Sequence, residues 1–261
     1  IMKKILVFLF FCPYAIFAQD KGDFSVDFGI NRHSFAMQNL NDYLTDTSYI
    51  DLTQYDAPPT EKITKGLGFD ARVLFQPLDF MDFGIYASYQ YGEVERFPSF
   101  DLFDPVIWDT ITVNGTEHYE TSAFGFGLTS STYLNKLLKF QDNASGFVNR
   151  LVIAVELSGG VGFSNFQDYR IFDYGLPSQT QRIDHKSADF QGKIALNIGF
   201  NILRKPIKSI VGFKVGYQFY RTGLIENEIG TDLPPISTNH TRTSNLDFSG
   251  LFFGAYLKLG K

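Results

Sequence analysis

From residue 190 to residue 202 the chain alternates without a break. Phe190, Gly192, Ile194, Leu196, Ile198, Phe200 and Ile202 share one parity, and Gln191, Lys193, Ala195, Asn197, Gly199 and Asn201 share the other. Period-two alternation puts each set on its own face of a β-strand. The same pattern recurs and predicts eight strands, over about 23–33, 65–75, 83–95, 118–134, 150–165, 187–202, 209–221 and 246–259. The apolar sets include Phe24, Val26, Phe28 and Ile30 in the first strand, and Val211, Phe213, Val215, Tyr217 and Phe219 in the seventh.

The opposite faces decide what surrounds the strands. They carry Asp27, Asp70, Arg72, Glu156, Lys193, Lys214 and Lys258, interspersed with many glycines such as Gly66, Gly68, Gly125, Gly127, Gly160, Gly162, Gly212 and Gly216. A soluble barrel would show water long charged chains, not this glycine-rich face. In the lumen of a narrow barrel, small residues relieve crowding and charges of opposite sign pair. The expectation is therefore inverted from that of a soluble protein: apolar faces outward in lipid, charges inward. Fold class follows as all-β, an antiparallel transmembrane β-barrel of eight strands with long extracellular loops. Ten strands, with an extra hairpin inside a long segment, is the alternative.

Connection lengths orient the barrel. The segments 36–64, 96–117, 166–186 and 222–244 are long and 76–82 and 204–208 are short, with 135–149 between them in length. The long segments are acidic (Asp42, Asp46, Asp51, Asp56, Glu61, Asp101, Asp104, Asp109), whereas the turn 204–208 carries Arg204, Lys205 and Lys208. Long loops outside and short turns in the periplasm are the usual arrangement of such barrels.

The first twenty residues, IMKKILVFLFFCPYAIFAQD, place Lys3 and Lys4 before an apolar run and end in a small residue, Ala18. This reads as a secretory signal peptide over 1–18, followed by a single domain over 19–261. Without it the chain has 21 basic and 28 acidic residues, a net charge of −7, and loses Cys12, its one cysteine. Disulfide and thiol chemistry are thereby excluded from the exported part. An acidic chain without basic runs is not expected to bind nucleic acid. The 28 phenylalanines and 14 tyrosines suit the aromatic girdles of an outer-membrane barrel.

The stretches FGFGLTSSTYLN, LSGGVGFSNF, IVGFKVGYQFYR and GLFFGAYLKLGK, together with the leader ending AQD, resemble the small outer-membrane β-barrel proteins common in Bacteroidetes. The resemblance implies an OmpA/OmpX-like, PorT-like single barrel in the outer membrane of a Gram-negative bacterium. It implies no catalytic residues and no cofactor.

Candidate chemistry is sparse. His33, His118, His185 and His240 are expected at the loop-side rim or in loops, without ligand spacing, so no metal site is predicted. The His-x-Ser pair of a lipid deacylase is not formed by His118, which Tyr119 and Glu120 follow, by His240, which Thr241 and Arg242 follow, or by the directly adjacent His33 and Ser34, and Asp184 and His185, adjacent in a strand, would point apart. The first long segment repeats Tyr43, Tyr49 and Tyr55 among Asp46 and Asp51, a pattern suited to gripping a surface glycan or a protein partner. The functional expectation is a non-enzymatic barrel that displays long acidic and aromatic loops for partner, glycan or envelope-assembly contact and otherwise meets outer-membrane lipid. A narrow, porin-like solute channel lined by the lumenal charges is the second reading, and a lipid-modifying enzyme the third.

Overall fold

The structure is a computed structural model that describes residues 23–38, 40–41, 62–97, 99–104, 106, 108–139, 146, 148–173, 179–203, 207–222 and 245–260. Residues 1–18, expected as a leader, and Tyr43, Asp46, Tyr49, Asp51, Tyr55 and His240 lie outside the described residues.

Among the described residues nine strands form: β1 (Asp23–Ser34), β2 (Lys65–Leu78), β3 (Met81–Arg96), β4 (Ser99–Asp104), β5 (Asp109–Tyr133), β6 (Leu151–Asp173), β7 (Gln179–Leu203), β8 (Lys208–Tyr220) and β9 (Gly250–Gly260). All pair antiparallel in the order β3-β2-β1-β9-β8-β7-β6-β5-β4, and β3 also pairs with β5, which closes a ring. The ring contains eight strands, as expected.

β4 is not a ninth stave. Arg96 faces Glu117 and Ser99 faces Asn114, so the register on β5 is unchanged across the gap at 97–98. β4 therefore continues β3 after an interruption. Pro98 stands at that interruption, where its missing N–H cannot serve a ladder. The extra-hairpin alternative is resolved in this way: the segment 96–117 is paired, but it lengthens an existing hairpin instead of adding staves.

A second segment read as a loop is also strand. Residues 166–173 and 179–186 extend β6 and β7, with Phe166 opposite His185 and Phe172 opposite Gln179. β5, β6 and β7 reach 25, 23 and 25 residues. A barrel strand needs about 9–11 residues to cross a bilayer. β8 first meets β7 at Tyr220 opposite Gln191, so β7 above Gln191 has β6 as its neighbour. The result is a sheet of β4, β5, β6 and β7 that rises from one side of the ring.

Both strand termini of the described ring, Asp23 and Gly260, and all the short connections gather at the other end. There the Lys208 Nζ lies 3.2 Å from Asp23 Oδ2. The connection after β5 opens with a short helix, α1 (Leu134–Leu137). Among the described residues no helix is long and apolar enough to cross a membrane.

Candidate functional site

The parity of each strand is realised as the alternation requires. Phe190 is 66% exposed, Phe213 76% and Phe24 60%, whereas Arg72, Asp27 and Lys214 are each 2% exposed. The oily residues lie outside a ring whose inside is polar. Lipid on the outside and paired charge on the inside satisfy both partitions, and closure leaves no backbone edge within the belt. The chain forms an outer-membrane β-barrel of the Gram-negative type.

The lumen is filled in tiers. At the short-turn end, Lys258 bonds to Asp82 and to the Tyr133 hydroxyl, which also donates to Asp82. Tyr133 packs there with Val152, Ala154 and Ile210. In the middle, the Arg72 guanidinium bridges Asp27 on the neighbouring strand and Glu156 across the lumen. Lys214 lies 2.8 Å from Asp70 and 3.7 Å from Glu156, and Asn197 Nδ2 donates to Glu156 at 3.0 Å. Lys193 sits 5.7 Å from the centre of the Tyr86 ring, at the edge of this tier. Three carboxylates (Asp27, Asp70, Glu156) thus meet three cations (Arg72, Lys193, Lys214). Such balance is what makes buried charge tolerable. The structure brings all seven sequence-predicted lumenal charges to the inside of the barrel, six in this middle tier and Lys258 below it.

Sequence reasoning missed several members. Asp82, the partner of Lys258, fell within a segment read as a turn. His33 was expected at the rim; it is 3% exposed inside the barrel, stacked between Phe252 at 5.3 Å and Phe35 at 6.0 Å. Its parity with Asp27 and Asn31 was the available signal. His118 lies on β5 towards the loop side, where it was expected, partly exposed and 3.9 Å from Glu120. His185 is placed in β7, while its side chain lies outside the described residues.

Above the charges comes a buried amide pair: Gln90 and Gln218 donate to each other, and Gln218 Nε2 also donates to the Phe248 carbonyl at 3.2 Å. The loop-side end is then closed by an apolar plug of Phe35, Met37, Leu40, Ile63, Val94, Tyr119, Phe166, Tyr220, Leu246 and Phe248. Backbone bonds hold the plug in place. Phe35 N–H donates to Thr64 O at 2.9 Å, Met37 N–H to Asp247 O at 3.0 Å, and Phe248 N–H to Tyr220 O at 2.8 Å. Asn41 exchanges both bonds with the Ile63 backbone. Glycine makes room where bulk crosses the lumen: a Cβ on Gly162 would lie 2.6 Å from the Tyr220 ring.

Among the described residues no three of His, Cys, Asp or Glu group to hold a metal ion. The candidate loop contacts Tyr43, Asp46, Tyr49, Asp51 and Tyr55 fall outside the description, so the geometry neither assembles nor disperses them.

No protein-family model matches the chain, and no curated protein matches it. Solved structures do. The attachment invasion locus protein Ail of Yersinia pestis, in complex with the heparin analogue sucrose octasulfate, is 8% identical over 92% of this chain and 97% of its own, with a TM-score of 0.35. Neisserial surface protein A is 7% identical over 92% and 99%, with a TM-score of 0.35. The outer-membrane protease OmpT from Escherichia coli is 10% identical over 93% and 97%, with a TM-score of 0.32.

Proposed function

We propose that this protein is a non-enzymatic outer-membrane barrel whose work is display. A plugged, rigid ring holds strand hairpins above the membrane for contact with a surface partner, a glycan or a larger envelope assembly. The observation that carries the reading is the contrast between the two ends. One end closes with short connections, while at the other β5, β6 and β7 run on for more than twice the length a bilayer needs. A hairpin anchored in a closed sheet keeps its height and direction, which a free loop does not.

The filled interior weighs against the channel reading. The small central void, among Arg72, Glu156, Tyr86 and Lys193, holds about 10 Å³, room for roughly one water. The plug lies above it and Tyr133 with Lys258 below it.

Two measurements test the proposal together. An epitope inserted after Asp173, between β6 and β7, is expected to bind antibody on intact cells without permeabilisation. Antibody binding seen only after the outer membrane is opened would reverse the orientation and refute display. Mass spectrometry of lipid A from cells with and without the protein is expected to show identical species. A mass change that depended on the protein would establish the enzyme reading in its place.

A further inference from the structure

The outer wall is not uniformly convex. Ala255 on β9 is a small outward residue ringed by larger exposed ones. Its register partners are Ile30 and Phe213, and Phe253 and Leu257 flank it along the strand. The surface sinks there into a shallow, almost wholly apolar hollow of about 470 Å³ that runs from Leu67 on β2 to Ile198 on β7. It crosses five adjacent strands, a width of roughly 19 Å at about 4.8 Å per strand.

A cation stands on its border. Arg32 lies on the outward parity of β1 and is exposed, with register partners Leu67 and Phe253, both apolar and both more than half exposed. One rung towards the loop side, Lys65 points outward from β2, diagonal to Arg32 across the β1–β2 ladder. No described carboxylate lies within ion-pair distance of either. Inside this barrel the middle tier balances three cations with three carboxylates; here two cations on an oily wall have no counter-charge among the described residues. Arginine's planar fork suits a phosphate held in two bonds, and lysine adds a point charge.

We propose that this face is a binding site for a phosphorylated, multiply acylated lipid of the outer leaflet, of the lipid A class. Acyl chains lie in the hollow over Ala255, and a headgroup phosphate is held by Arg32 and Lys65. The inference rests on the membrane reading, and it concerns the wall, not the displayed hairpins. Position and width select the ligand. The cations sit on the loop-side edge of the β1 belt, and five strands accommodate more acyl chains side by side than a two-chain phospholipid carries.

The test uses the full chain, purified in detergent and titrated with bisphosphorylated lipid A, dephosphorylated lipid A or phosphatidylglycerol, with bound lipid read by native mass spectrometry. Wild type is expected to retain lipid A in preference to both other lipids. R32A/K65A is expected to lose affinity by roughly tenfold or more, since each cation near an anionic surface contributes a factor of about five. A255W fills the hollow without touching the charges and is expected to weaken binding as well. Folding of each variant is checked by heat-modifiable migration on a gel. Equal retention by the folded variants, or equal binding of the dephosphorylated lipid or of phosphatidylglycerol, would overturn the proposal while leaving the barrel intact. A wild-type chain that stayed soluble without detergent would overturn the membrane reading and this site together.

Discussion

Arg72 on β2 reaches across the lumen to Glu156 on β6, two strands that share no backbone hydrogen bond. The same guanidinium holds Asp27 on β1, its own ladder partner. One side chain therefore ties opposite walls of the ring through groups that are almost fully shielded from water. Its removal would leave two carboxylates facing each other with Lys214 as the remaining near counter-charge.

Arg72→Ala is accordingly expected to destabilise the folded barrel by about 3–5 kcal/mol, the usual cost of leaving a buried charge uncompensated. Arg72→Lys is expected to recover only part of this, because one ammonium cannot reproduce a fork that spans two carboxylates. Urea unfolding in lipid vesicles, followed by tryptophan fluorescence and gel mobility, measures both. An Arg72→Ala midpoint equal to that of wild type would show that the bridge carries no stability.

Lys208 and Asp23 provide the contrast. They are 3.2 Å apart but remain 56% and 53% exposed at the short-turn end. Coulomb attraction there is screened by water and salt, so Lys208→Ala is expected to change stability by less than about 1 kcal/mol in the same assay. A loss comparable to that of Arg72→Ala would mean that the two ends of the barrel are not solvated as described.

The Gln90–Gln218 pair predicts a non-additive result. Either Gln→Leu change strands the partner's buried amide, at about 1–3 kcal/mol. The double replacement removes both ends of the exchange, leaving the Phe248 carbonyl without its Gln218 donor. The double variant should therefore cost less than the sum of the singles, with a coupling of at least about 0.5 kcal/mol in a double-mutant cycle. Strict additivity would deny the contact.

What the sequence made legible divides along a physical line. Wherever a strand separates lipid from a packed lumen, side chains must alternate, and Phe190 to Ile202 or Val211 to Phe219 could be read directly. The strand extensions carry no such constraint. In residues 166–173 and 179–186 polar and charged residues fall on both parities, so the alternation fades and the segment reads as loop. β4 was hidden by Pro98, which looks like a strand end although the register resumes unchanged beyond it. The plug was invisible for a different reason. Phe35 and Met37 keep the inward parity of β1, and Leu246 and Phe248 that of β9, but they come from segments far apart in sequence, and backbone bonds such as those of Phe35 to Thr64, Met37 to Asp247 and Phe248 to Tyr220 bring them together. The charges needed only parity, which is why Asp27, Asp70, Arg72, Glu156, Lys193, Lys214 and Lys258 were found, while Asp82, next to a turn, was not.

The outward belt carries its own test. Phe213 on β8 is 76% exposed, with Ala255 and Ile198 as its ladder partners. On a soluble protein, Phe213→Arg would be harmless or helpful, since it replaces exposed oil with charge. In a bilayer it places a guanidinium against acyl chains, at a cost of about 2–4 kcal/mol near the midplane. The variant is expected to lose folded, heat-modifiable protein in vesicles, with the loss greatest in thick bilayers, where the arginine has furthest to reach for water. Unchanged or improved stability would place water, not lipid, on that face.

Conductance addresses the two seals in the lumen. Tyr220 stacks on Phe248 at 5.4 Å, and Phe35 meets the same ring edge-on at 5.4 Å, so Phe248 is the centre of the aromatic plug. Phe248→Ala opens the loop-side tier and is expected to cost about 3–5 kcal/mol as a buried aromatic truncation. It should not open a pore, because the tier of Arg72, Glu156, Asp70 and Lys214 beneath it bridges the lumen independently. Planar-bilayer recordings of wild type and of Phe248→Ala are both expected to show no stepwise current. Phe248→Ala combined with Arg72→Ala removes a seal from each tier and is the variant in which steps should first appear. Steady single-channel steps from the wild-type protein would show that the tiers open together and would restore the solute-channel reading.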